Sequence, residues 1–139
     1  MKKTPFVTKE QLEEIVKEYP TPFHLYDEAG IRKNAQALKD AFAWNKGFRE
    51  YFAVKATPNP FIMNILREYG CGYDCSSLTE LMLSEATGVK PRDIMFSSND
   101  TPAEEFAYAD KLGAIINLDD ITHIDCLEET LGHIPEIIS

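Results

Sequence analysis

The sequence predicts an α/β protein, the first and truncated part of a parallel (β/α)8 barrel. Three observations predict it. Short apolar segments alternate with amphipathic segments at helical spacing. The apolar segments end near Lys55, Asp74, Ser97, Leu118 and Ser139, a step of roughly 20 residues, the size of one βα unit. Helix start and stop residues bracket the segments between them. Units of this kind build a parallel sheet covered by helices. Uniformly short loops favour the barrel over a doubly wound sheet, although alternation alone does not separate the two.

The elements follow in order. Thr8 and Gln11 make a capping box before Leu12, Ile15, Val16 and Tyr19, and Pro20 and Pro22 end that helix. Phe23 to Tyr26 reads as a short strand. Asp27 caps a second helix whose inner face is Ile31, Ala35, Leu38 and Phe42. After Gly47 comes the strand through Tyr51, Phe52, Ala53 and Val54, rich in β-favouring side chains and ending at Lys55. Asn59 caps a helix with Pro60 at its first position, and Gly70 closes it.

Gly72 to Cys75 is the next strand. Ser77 and Glu80 form a second capping box, and the helix through Leu81 and Met82 ends at Gly88. Ile94 to Phe96 is a strand. Thr101, Pro102 and Glu104 open a helix that carries Phe106 and Leu112, with Gly113 after it. Ala114 to Leu118 is a strand, and Asp119 or Asp120 caps the helix that ends at Gly132. Ile134 to Ile138 begins another strand. A barrel needs eight strands and about 250 residues, so this chain reads as the front of a larger protein.

Composition narrows the function. The chain has 139 residues and a net charge of −9, with 23 acidic against 14 basic side chains. That balance argues against nucleic acid and anionic membrane surfaces as partners. No apolar run approaches the ~20 residues of a membrane span. The start, MKKTPFVTKEQLEE, lacks the apolar stretch of a secretory leader. Cys71, Cys75 and Cys126 are an odd set without C-x-x-C, which reads as reduced thiols in a cytoplasmic protein. Their C-x-x-x-C spacing is not a usual zinc knuckle, so no metal is expected.

In a parallel α/β fold the chemistry lies at the carboxyl ends of the strands. Lys55, Asp74, Ser76, Ser77, Ser97, Ser98 and Asn99 fall there. An amine walled by apolar groups can attack a carbonyl as a neutral nucleophile, so Lys55 points to Schiff-base chemistry. Its plain alternative is a solvated lysine at a strand end. Ser77 and Glu80 have a capping role available, and Asn99 and Asp100 a turn role. Asp74, a carboxylate at a buried strand end, needs a partner. His24, His123 and His133 are scattered. The glycines stand mostly singly at helix ends, and no Gly-rich loop is present to cradle a phosphate.

Four stretches carry a resemblance: TPFHLYDEAGIRKN, YFAVKATPNP, GYDCSSLTEL and IMFSSNDTPAEEFAYADKLGAIINLD. Together they resemble the fold-type III decarboxylases that use pyridoxal phosphate, and among these the diaminopimelate decarboxylases. The resemblance runs from about Thr21 to the last residue. It implies a TIM barrel of the alanine racemase-like type. Lys55 would carry the cofactor, with Asp74 and Glu80 beside it. Residues 1–26 would be a helix and strand that pack on a C-terminal β-domain, and residues 27–139 the first part of the cofactor-binding barrel. The implied reaction is decarboxylation of meso-diaminopimelate to L-lysine by a cytoplasmic homodimer.

The residues for phosphate, pyridine nitrogen and substrate would lie beyond Ser139, so the chain alone is expected to be inactive. Thr57 stands where the family often has Asn, and Leu78 and Thr79 where diaminopimelate enzymes often have two glycines. The S-x-T-E form also occurs in ornithine decarboxylases. Ornithine, arginine or carboxynorspermidine decarboxylation, or a pyridoxal-phosphate barrel without catalysis, are therefore the alternatives.

Overall fold

Four strands form one sheet in chain order, every pair parallel. The computed structural model describes residues 4–139. The elements run α1 (Lys9–Glu18), α2 (Glu28–Ala41), β1 (Tyr51–Ala53), α3 (Pro60–Glu68), β2 (Gly72–Cys75), α4 (Leu78–Ala86), β3 (Ile94–Ser98), α5 (Ala103–Leu112), β4 (Ile115–Leu118) and α6 (Thr122–Leu131).

The helix starts follow their local chemistry. Both halves of the Thr8–Gln11 capping box form, Asp27 accepts from the Gly30 N–H, and Asn59 accepts from the Phe61 N–H with Pro60 at the first position. At the far end of α5, Gly113 takes the left-handed conformation at φ 72°, which an L side chain adopts only at a cost.

The two faces of the sheet differ. Tyr73, Cys75, Ile94, Phe96 and Ile116 are buried and form one core with Met63, Leu81, Phe106, Ala109 and Leu127 from α3 to α6. The opposite face carries Ala53, Asp74, Met95 and Ile115 in one register row and Ser97 beside Asn117 in the next. All six are half-buried. A doubly wound sheet has helices on both faces, whereas a barrel wall turns one face to its helices and the other to the interior. The structure is therefore a segment of barrel wall, as the sequence predicts.

Gly72 is dictated by a close approach. A Cβ there would meet the Tyr51 ring and the Asp93 carbonyl oxygen, each at 2.6 Å. The ring crosses β2 at its amino end, and the Tyr51 hydroxyl donates to the Arg92 carbonyl at 3.1 Å. Arg49 lies 5.7 Å from the ring centre and pairs with Asp93 at 2.7 Å. These contacts lace β1, β2 and the start of β3 together.

Several elements differ from the sequence reading. Phe23 to Tyr26 is not a strand and pairs with none of the four, because a ladder needs a neighbour that the described residues do not supply. The strand expected over Ile134 to Ile138 is a single parallel bridge from Ile138 to Ile116, and Pro135 removes a ladder donor from its start. β1 stops at Ala53, two residues before Lys55. β3 runs two residues past Phe96, to Ser98. The start of α5 has no side-chain cap; Pro102 precedes it, and the Thr101 hydroxyl is buried with no hydrogen-bond partner among the described residues. α1 is capped but has no buried residue, and Leu12, Val16 and Tyr19 are exposed.

Candidate functional site

Val54 is fully buried in the core, and the chain then tightens into a 3-10 turn over Val54–Ala56. The Thr57 N–H donates to the Val54 carbonyl at 3.1 Å and closes it. This turn carries Lys55 past the end of β1 and into a polar pocket of ≈ 200 Å³. Ser76 after β2, Ser97, Ser98 and Asn99 at the end of β3, and Asn117 and Asp119 at the end of β4 complete the lining. Every strand of the sheet contributes at its carboxyl end. Lys55 is exposed, not walled by apolar groups, and it makes no ion pair or side-chain hydrogen bond among the described residues.

The two carboxylates sit one step back from the pocket. Asp74 lies on the neighbouring strand, in register with Ala53 and Met95. The Ser97 hydroxyl donates to its Oδ1 at 2.5 Å, so the partner this buried strand end requires is a serine rather than the lysine. Glu80, in the first turn of α4, accepts from the Ser76 N–H at 2.9 Å and from the Ser77 hydroxyl at 3.2 Å. The capping box is thus shifted: Ser77 Oγ accepts from the Glu80 N–H, but the Glu80 carboxylate reaches back to Ser76. The pocket lining touches both acids, Asp74 through Ser97 and Glu80 through Ser76.

Three contributors are absent from the sequence reading of the site. Asn117 is a polar residue inside an apolar strand, and its alternation with Ile116 was the available signal. Asp119 lines the pocket, whereas Asp120 accepts from the Thr122 N–H at 2.8 Å and its hydroxyl at 2.6 Å; α6 follows Ile121 without a side-chain cap, so neither acid is the cap that the sequence predicts. Glu105 accepts from the Leu78 N–H across 27 residues at 3.0 Å, a contact no local pattern announces. The nearby cysteine is structural. Cys75 is fully buried with Sγ 3.2 Å from Ser84 Oγ, and burial pushes its thiol up to about 12. A larger, apolar pocket of ≈ 400 Å³ lies between α2, α3 and β1, lined by Ile31, Leu38, Phe52 and Ile62 among others, away from these polar groups.

A family model described as pyridoxal-dependent decarboxylase, pyridoxal binding domain, matches residues 28–138. The chain belongs to this family. The expected cofactor, pyridoxal phosphate, is that of the family. The protein TabA of Pseudomonas amygdali pv. tabaci is 43% identical over 128 residues, 92% of this chain and 29% of TabA. Diaminopimelate decarboxylase of Thermoplasma acidophilum is 31% identical over 128 residues, 92% of this chain and 30% of that protein. The crystal structure of diaminopimelate decarboxylase from Helicobacter pylori complexed with L-lysine superposes with a TM-score of 0.75 at 32% identity, covering 86% of this chain and 30% of that one. The chain thus spans a little under a third of the length of these relatives.

The pocket fits such a cofactor in its donor set. It offers one primary amine, free of ion pairs among the described residues, together with hydroxyl and amide groups and one carboxylate, that of Asp119. Neighbouring carboxylates are held in place by hydrogen bonds. Among the described residues no helix is long and apolar enough to cross a membrane.

Proposed function

We propose that the whole protein is a pyridoxal-phosphate-dependent decarboxylase that converts meso-diaminopimelate to L-lysine and carbon dioxide. The observation that carries this reading is Lys55, an amine without an ion pair among the described residues, set among polar groups at the carboxyl end of the first barrel strand. Likeness to several diaminopimelate decarboxylases supports the substrate. When bound, the cofactor supplies an electron sink for the bond to the departing carboxyl group. Lys55 Nζ would hold it covalently. Asp74, anchored by Ser97, would orient Lys55 from the adjacent strand. Glu80, anchored by Ser76 and Ser77, would fix the β2–α4 loop beside it.

Residues 1–26 would pack on a β-domain supplied by the rest of the protein, and residues 27–139 would form the first part of the barrel. The exposed apolar side chains of α1 and the unpaired segment at Phe23 to Tyr26 support this division. The remaining cofactor and substrate groups would come from outside this chain, which alone would be inactive. A cytoplasmic homodimer completes the proposal, in keeping with three free thiols.

The second reading is decarboxylation of ornithine, arginine or carboxynorspermidine, favoured by Leu78 and Thr79 in place of two glycines. The test is carbon dioxide release by the whole protein with pyridoxal phosphate and each substrate in turn. The highest kcat/KM is expected for meso-diaminopimelate. A preference for ornithine moves the assignment to the second reading, and no release from any substrate overturns the enzyme.

A further inference from the structure

We propose that Glu105 is a positioning residue for the cofactor pocket, acting through the backbone N–H of Leu78; this rests on the function proposed above. Leu78 is the first residue of α4, and its N–H is one of the donors that no helix leaves satisfied from within. Glu105 reaches it from the first turn of α5, Oε1 accepting at 3.0 Å. Glu80 holds the same loop from the other side through Ser76. The segment Ser76–Ser77–Leu78 is therefore gripped by two carboxylates from two helices. Ser76 at its start lines the pocket beside Lys55.

Local chemistry does not require this arrangement. Ser77 already caps α4 by accepting from the Glu80 N–H. The carboxylate from α5 adds a tie between two βα units, at the point where both face the same pocket. A negative charge at the start of α4 also suits the helix dipole. Losing the tie leaves the loop that carries Ser76 held by Glu80 alone, while the core cluster, which contains neither Glu105 nor Leu78, stays in place.

Leu78 offers a way to remove the donor without touching Glu105. Proline is tolerated at the first helical position, and its lack of an N–H costs nothing else there. Ser77, at φ −157° and ψ 163°, already has the extended conformation that a residue before proline prefers. The experiment uses the whole apo-protein and measures pyridoxal phosphate affinity by absorbance titration, with circular dichroism to check folding. Glu105→Ala and Leu78→Pro are each expected to weaken binding about tenfold, the upper range of a single hydrogen bond. The double variant should lose no more than either single one. Glu105→Gln keeps an acceptor oxygen and should bind within about twofold of the native protein.

A folded Glu105→Ala variant with unchanged affinity overturns the assignment. So does a double variant whose losses multiply. Should Glu105→Ala fail to fold, Leu78→Pro decides alone by the same measure. Borohydride labelling of the native protein separates the two claims. No pyridoxyl group on Lys55 brings down the proposed function, whereas a labelled Lys55 with unaltered variants brings down the role of Glu105 only.

Discussion

The hydroxyl of Ser97 on β3 donates to Oδ1 of Asp74 on β2 at 2.5 Å, and it does so from the wall of the pocket that holds Lys55. A charge-assisted bond of this kind ties two strands and fixes the carboxylate at once. Ser97→Ala in the whole protein should lower stability by about 1 kcal/mol and weaken cofactor binding several-fold. Asp74→Asn should weaken binding too, and the double variant should be less than additive. Denaturant midpoints and cofactor titrations check both, and fully additive losses would remove the pair from the site.

Lys55 is the residue expected to carry the cofactor in the whole protein. Lys55→Ala should reduce decarboxylation by at least about a thousandfold, as loss of a covalent group does. Lys55→Arg should fail equally, because a guanidinium stays protonated and cannot bond to an aldehyde. Borohydride reduction followed by peptide mass mapping reads the attachment point. A pyridoxyl group on another lysine would end the proposal.

Gly72→Ala should destabilise the fold by about 1–3 kcal/mol, the usual cost of overpacking. The added Cβ meets a ring and a backbone carbonyl, both at 2.6 Å. Replacing Tyr51 by Ala in the same chain removes only the ring, so the pair of changes should not restore native stability. Urea unfolding of the three variants tests this, and a neutral Gly72→Ala would contradict the packing.

Stability should fall on the alkaline side. Burial raises the Cys75 thiol from 9.0 to about 12, and it raises Cys71 and Tyr73 in the same direction. The folded chain then holds protons that the unfolded chain has released, so stability is full below about pH 9 and is lost as pH rises towards 12. Cys75→Ala should flatten that slope, measured as the denaturant midpoint against pH. Equal slopes in the two proteins would show that Cys75 titrates no differently when folded.

The parts of the fold legible in the sequence are those decided within a few residues. The Thr8–Gln11 box and the Asp27 and Asn59 caps are local hydrogen bonds, and their donors and acceptors are neighbours in the chain. The alternation of βα units gave the parallel order of β1 to β4. Lys55 stood out because a charged group followed an apolar run. Its turn did not, because burial of Val54 in a core built from distant residues sets where β1 stops. Glu105 was invisible for the same reason, its partner lying 27 residues away. Asp119 and Asp120 are equivalent cap candidates in the sequence; the helix starts after Ile121 without a side-chain cap, and only Asp120 contacts Thr122.

The Tyr51 ring lying across Gly72 has a consequence for traffic. It covers the amino end of β2 and reaches the start of β3, while the carboxyl ends carry the polar groups around Lys55. Along this wall the route to Lys55 therefore lies at the carboxyl ends, where its amine is exposed, and the amino ends of β1 and β2 serve packing instead.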